Sequence, residues 1–453
     1  MTIVEQLSSY AAALRYEDLP GEVIHQAKRL IVDTIGCALG GYASEPARIA
    51  RDIAATVTST HPATVFVSGQ RTSPELAVFA NGVMIRFLDF NDGYTSTGES
   101  GHPSDSIAAV LTAAELMRRG GKDAITATVL AYEVFCRVGD AVDLKPNFDH
   151  VTIGGMASTT AAARLLGLTE KSIAEALNLN VASNIALYQT RIGNVSMWKG
   201  CAYANASRNA VFAAMLAARG MIGPAPIFEG AGGYFKAVAR VPFALPAMGG
   251  REHPFKIMEC SIKRFPLGQY SQTVAQAALE VRAKIKSVDD IAEVRIQTLG
   301  TAVRIMANDP EKWEPETRET ADHSMPYTAA VALIHGAVEE SHFDDGCMHD
   351  PRVRALTRLV KVGISEEADR RMPEAMLCQL TVVTKSGASH TAEVAYHKGH
   401  WKNAMSDAEI EAKFRPLAAK VLTAAQTDRL LGKLWRLEDV TDAGELVRLT
   451  VAN

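Results

Sequence analysis

Apolar residues recur at helical spacing from about residue 4 to about 264, which predicts helices joined by short loops. The pattern over 23 to 39 stops at Gly40-Gly41, and 124 to 142 and 173 to 185 repeat it with Gly and Pro as punctuation. Alanine-rich stretches over 156 to 168 and 202 to 218 predict helices packed closely in a bundle. The period then changes. Residues 291 to 299 alternate and are rich in branched side chains, and 377 to 384 and 390 to 396 flank a hairpin turn at Lys385-Ser386-Gly387-Ala388. Helical spacing returns over 406 to 414 and 423 to 434. The pattern predicts a mainly α protein: a large all-helical domain over 1–265, a smaller α/β domain over 266–400, and C-terminal helices over 401–453 that return to the helical domain.

Composition narrows the function classes. A chain of 453 residues with 47% hydrophobic and 22% charged residues is long enough to bury a large core. The net charge of −4 provides no basic stripe, so no nucleic-acid partner is expected. No apolar run approaches a membrane span, and the first residues lack the pattern of a signal peptide, so the expectation is a cytoplasmic protein without a membrane partner. The six cysteines are scattered with no C-x-x-C, which disfavours a disulfide framework or an iron–sulfur site. Of the twelve histidines only His397 and His400 fall close together, and there is no H-E-x-x-H, so no metal is expected.

The segment richest in chemistry is Arg86-Phe87-Leu88-Asp89-Phe90-Asn91-Asp92-Gly93-Tyr94, followed by Gly101-His102-Pro103-Ser104-Asp105. Pro103-Ser104-Asp105 predicts a helix start, with Ser104 as cap and Asp105 suited to the positive end of the dipole. Asp89 and His102 would then flank a loop entering a helix N-terminus, a place suited to an anionic ligand. Four other places combine polar residues with loop or helix-start signals. Asp149-His150 precedes Val151-Thr152-Ile153-Gly154-Gly155, whose glycines serve either close helix packing or approach of a ligand to the backbone. Trp198-Lys199-Gly200 opens a helix, where the lysine is either solvated or positioned to hold a carboxylate. Lys263-Arg264 sits beside Phe265-Pro266 at the expected domain boundary, either as a surface face or as a polyanion site. Ala321-Asp322-His323-Ser324-Met325-Pro326-Tyr327 carries a tyrosine that is either core or a proton donor. The glycine-rich 229–234 follows no strand and lacks a P-loop lysine, which argues against a nucleotide site. Together these residues describe a cationic site with His, Asp and Tyr as proton handlers, suited to proton abstraction beside a carboxylate.

The run RFLDFND…GHPSD, the helix after FDHVTIGG, MWKG…NASRNAVFAAMLAARG, IKRFP and HSMPY together resemble the MmgE/PrpD family over nearly the whole chain. That family includes 2-methylcitrate dehydratase, cis-aconitate decarboxylase and an iminodisuccinate epimerase. The resemblance implies a helical domain plus an α/β lid domain, a homodimer, and a cofactor-free site between the domains. It implies Asp89, His102, His150 and Tyr327 as catalytic residues and Lys199, Lys263 and Arg264 as substrate-binding residues. Two positions depart from relatives. Decarboxylase members carry a histidine where Gly268 stands, and Tyr270 stands where the dehydratase branch tends to have histidine.

The expected activity is that of a hydro-lyase dehydrating a 2-methylcitrate-like tricarboxylic hydroxy acid to an aconitate-type alkene by general acid–base catalysis. Epimerisation, isomerisation or decarboxylation of a related di- or tricarboxylate would use the same residues. A non-catalytic helical dimer that binds carboxylates is the alternative from another class.

Overall fold

The computed structural model describes residues 1–452 and divides into two compact units. The first comprises residues 1–188, 200–260 and the chain from 406 onward. It is helical apart from a two-stranded ribbon, β1 (Ala63–Thr64) paired antiparallel with β2 (Arg71–Thr72). The stretch expected to be helical over 23 to 39 is the helix Gly21–Gly41, which packs against Pro74–Arg86 and against Asp407–Ala418. Small residues make that approach possible. A Cβ on Gly41 would lie 2.2 Å from the Met84 carbonyl oxygen, and one on Gly40 would lie 2.6 Å from Leu417. The helix Val151–Leu165 is buried along its length except at Arg164, as a helix apolar on all sides must be.

Two local expectations are corrected here. Ser104 does not cap the following helix; residues Pro103–Ser106 form a 3-10 turn without a side-chain cap, and Ile107–Leu116 continues from it. The Ser104 hydroxyl is drawn away by the Asp92 carboxylate, 2.6 Å distant. The helix after His150 also begins earlier than expected, at Val151, so Gly154 and Gly155 lie inside it. They serve close packing. A Cβ on Gly154 would meet the Tyr203 ring at 2.3 Å, and one on Gly155 would meet Asn184 at 2.2 Å.

The second unit comprises Gln189–Lys199 and Ser261–Met405. Its four-stranded sheet has the order β4-β3-β5-β6, with β3 (Ile291–Thr298) parallel to β4 (Val360–Ile364) and antiparallel to β5 (Cys378–Thr384), which pairs antiparallel with β6 (Ser389–Val394). On β3 the buried positions are Ile291, Val294, Ile296 and Thr298, and the irregularity between Ile291 and Glu293 accounts for the one break in alternation. The helix Gln272–Arg282 packs on β5 and β6, and Met325–His335 packs beside β4 and against Gln272–Arg282. The hairpin turn expected at 385–388 is present, with Gly387 at φ +84°. β4 went unpredicted because it is an edge strand in which only Val360 is fully buried.

The segment Gln189–Lys199 joins the second unit because it is laced to residues 309–320. The Val195 amide donates to the Thr320 hydroxyl (3.1 Å), the Thr317 hydroxyl donates to the Val195 carbonyl (3.0 Å), and the Gly193 amide donates to Asp309 (3.4 Å). A boundary drawn along the sequence at 265 leaves this segment with the helical part.

Candidate active site

In the first unit the polar cluster is built where the helix Pro74–Arg86 ends. Arg86 and Asp89 are both buried and ion-paired, and Asp89 sits at φ +49°, a left-handed conformation that Asp tolerates better than most residues. The Arg86 guanidinium also reaches Asp105 at 3.4 Å. Asn91 donates to Asp105 (2.8 Å) and to the Ser104 hydroxyl (2.7 Å), while the Asp92 carboxylate takes both the hydroxyl and the amide of Ser104 (2.6 and 3.3 Å). The two halves of the motif are thus tied by side chains. The main chain ties them as well: Tyr94 and Gly101 exchange hydrogen bonds of 2.8 and 3.1 Å across the turn.

This framework fixes two imidazoles. His102 Nδ1 lies 2.6 Å from the main-chain carbonyl oxygen of Asp92. A carbonyl can only accept, so the proton is on Nδ1 and the lone pair of the neutral ring is on Nε2. His150 Nδ1 lies 2.9 Å from Asp149 Oδ1, which also accepts from the Val151 amide at 3.0 Å. The carboxylate at the head of the helix Val151–Leu165 therefore orients His150 in the same sense. The two rings meet edge to face with centroids 5.6 Å apart, and Phe135 and Tyr203 flank His150. Gly101 is required at this contact, since its Cβ would stand 2.6 Å from both the His150 ring and Phe135.

Burial perturbs the carboxyls around these rings. It raises Asp92 to about 6, against the pull of the Ser104 hydrogen bonds. It raises Asp105 to about 7, opposed by Arg86 and reinforced by Asp92. Glu99, bonded to Lys145 at 2.9 Å, is likewise raised by burial to about 7. A carboxyl raised in the folded state favours folding while protonated and loses that contribution as pH rises through its folded value. Stability from this cluster should therefore fall as pH rises from about 4, the ordinary carboxyl value, through about 6 and 7. Urea titrations of the wild type and Asp105→Asn across that window check this: the Asn variant should show a flatter dependence, and equal slopes would contradict it.

The second unit carries its own buried charges. Lys199 and Asp322 are fully buried and paired at 2.6 Å, and His323 Nδ1 is also 2.6 Å from the same Asp322 oxygen. This repeats the arrangement of Asp149 and His150: an Asp immediately before a His binds its Nδ1. The doubled Asp-His pair is the sequence signal that would have singled out Asp322 and His323. Lys263 is fully buried, and Gly399 closes on its neighbour, with the Ile262 amide donating to the Gly399 carbonyl at 2.9 Å. That turn brings His397 within electrostatic reach of Lys263. Burial lowers His397 to about 4, aided by Lys263 and opposed by its contact with the Lys398 carbonyl, so the ring is neutral near pH 7.

Four further positions weighed from the sequence lie in the second unit. Arg264 is exposed while the adjacent Lys263 is buried, and its guanidinium lies over Phe265 at 5.4 Å. Tyr327 is in the core of the second unit with its hydroxyl donating to the His342 carbonyl at 2.6 Å, which is the satisfied-core arrangement. Gly268 donates its amide to the Asp322 carbonyl (2.8 Å), and Tyr270 is buried on the turn beyond it. Gln272 staples this turn, accepting from the amides of Arg264 and Phe265 and donating to the carbonyls of Phe265 and Leu267. The glycine-rich 229–234 leads into a π-helical turn, Phe235–Ala239, and follows no strand. Among the described residues, neither unit by itself gathers three side chains placed to share a metal ion, and no helix is long and apolar enough to cross a membrane.

Two helical-bundle and α/β units with Asp-oriented histidines and buried lysines define the class to which comparison with known proteins assigns the chain. Residues 5–244 match the MmgE/PrpD N-terminal domain and residues 265–437 match the MmgE/PrpD C-terminal domain. The chain belongs to the MmgE/PrpD family. Human cis-aconitate decarboxylase is 28% identical over 469 residues, covering 99% of this chain and 94% of that protein. The 2-methylcitrate dehydratase of Escherichia coli (strain K12) is 28% identical over 461 residues, covering 92% and 90%, and that of Cupriavidus necator is 29% identical over 368 residues, covering 76% and 73%. These relatives are dehydratases and a decarboxylase.

Proposed function

We propose that this chain is a lyase that dehydrates a 2-methylcitrate-like tricarboxylic hydroxy acid to an aconitate-type alkene. The observation that carries the reading is the pair of anchored imidazoles, His102 on the Asp92 carbonyl and His150 on the Asp149 carboxylate, 5.6 Å apart. Elimination of water needs a base for the proton α to a carboxylate and an acid for the departing hydroxide. The partners divide these roles. A carboxylate stabilises an imidazolium, so His150 is the acid; a carbonyl dipole stabilises it less, so His102 is the base. His102 Nε2 takes the proton, the C–H electrons form the double bond, and the hydroxide leaves with the proton of His150 as water. Lys199 and Lys263 hold carboxylates and offset the negative charge that develops beside one of them. Arg264 is assigned to the same polyanion as an outer cation. Asp89, paired with Arg86, holds the loop, and the hydroxyl of Tyr327 stays with its main-chain acceptor.

A second reading, decarboxylation of a related acid, is favoured by the extent of similarity to human cis-aconitate decarboxylase. Gly268 weighs against it. The side chain that the resemblance places there is absent, and a Cβ would stand 2.6 Å from Met306 Cε. Proton NMR of chelator-treated protein with 2-methylcitrate, citrate, cis-aconitate and iminodisuccinate in D₂O tests both readings. An alkene from 2-methylcitrate is the expected result. Loss of carbon dioxide from cis-aconitate would favour the second reading, deuterium uptake without loss of water would mean epimerisation, and no change with any of the four would reject the substrate class.

A further inference from the structure

One buried lysine has no place in the reaction just described. Lys312 is fully buried, and its Nζ has no hydrogen-bond partner among the described residues. An ammonium in that position is costly unless something compensates it. Its main chain is pinned on both sides. The Lys312 amide donates to the Asp309 carbonyl at 3.0 Å, and its own carbonyl accepts from the Ser324 hydroxyl. Ser324 also caps the helix Met325–His335, its oxygen 3.1 Å from the Tyr327 amide, and follows Asp322-His323 directly. Lys312 is thus fastened to the turn that carries the partner of Lys199. Its electrostatic neighbours are Asp309, Lys199, Asp322 and Glu311, and burial is the main cause that lowers its pKa, with Lys199 adding to it. Asp322 is already engaged by Lys199 and His323, each at 2.6 Å. These acids act on Lys312 through space, yet none of them is a hydrogen-bond partner of its Nζ.

We propose that Lys312 is a substrate-binding residue that, with Lys199, cradles one carboxylate of a di- or tricarboxylate within the second unit. An incoming carboxylate supplies the acceptor that the protein does not give Lys312, and desolvation of both partners makes the contact strong. This rests on the reading of Lys199 as a carboxylate holder, but not on which reaction follows binding.

The test is calorimetric titration of citrate into the full-length wild type and Lys312→Met, with a melting curve of each unliganded protein. Methionine fills the space without a charge, so the unliganded variant should be as stable as the wild type or more so. Citrate affinity should fall about 30-fold or more, the factor expected on truncating one partner of a buried charge pair. Equal affinities would overturn the assignment of Lys312 and leave the proposed activity standing. A wild type that binds no citrate would overturn it together with the tricarboxylate class. Should the Met variant not fold, Lys312→Gln carries the same contrast.

Discussion

His150→Asn should lower kcat with 2-methylcitrate by about 10²–10⁴-fold, the usual worth of a positioned proton donor, while the melting temperature stays close to that of the wild type. The ring is held by Asp149 at 2.9 Å and packed by Phe135 and Gly101, but it is not part of the ion-paired framework around Arg86. Asn keeps a polar side chain in the space without an imidazole to donate a proton. Asp149→Asn should show a related loss by a different route. The amide cannot stabilise an imidazolium, so the alkaline limb of the kcat–pH profile should move to lower pH as the apparent pKa of His150 falls. A purely structural Asp149 would change stability and leave that profile in place. If His150→Asn retained kcat within a few-fold of wild type, the acid would have to be another group and the assignment of roles would fail.

Arg86→Met should be the most destabilising single change in the first unit. It leaves the buried carboxylate of Asp89 without its guanidinium partner and removes the cation facing Asp105. Breaking one side of a buried ion pair costs about 3–5 kcal/mol, which should appear as a lower urea midpoint with little change in the slope. Arg86→Met combined with Asp89→Asn should recover much of that loss, because the uncompensated charge is then gone. Failure of the double variant to recover would mean that Arg86 acts through packing and not through charge. Loss of stability near zero in the single variant would mean that Asp89 takes a proton as readily as it takes a partner.

The residues of the candidate site stand out along the chain because they come in short, unusual runs. Asp89 and His102 stand on either side of one turn, Asp149 precedes His150, and Lys263 precedes the Phe265-Pro266 turn. What the runs could not convey was direction. Lys263 and Arg264 are neighbours in sequence, yet one is buried and the other exposed. Ser104 reads as a helix cap by residue type and position, but a carboxylate twelve residues earlier competes for its hydroxyl and wins. Tyr327 reads equally as core or as acid, and only the position of the His342 carbonyl decides where its proton points.

Periodicity alone determined that the first half is helical, that a strand lies at 291 to 299, and that a hairpin closes near Gly387, because each depends on local spacing of apolar and turn residues. The edge strand Val360–Ile364 escaped it, since a strand buried at only one of its five residues carries little alternation. Which distant groups share a charge was decided only by tertiary structure. In the first unit Arg86 with Asp105, and in the second Lys199 with Asp322 and Lys312 near that pair, depend on side chains brought together by packing from separate positions in the chain. Buried electrostatics is a matter of distance and desolvation, and neither quantity is written in the order of the residues.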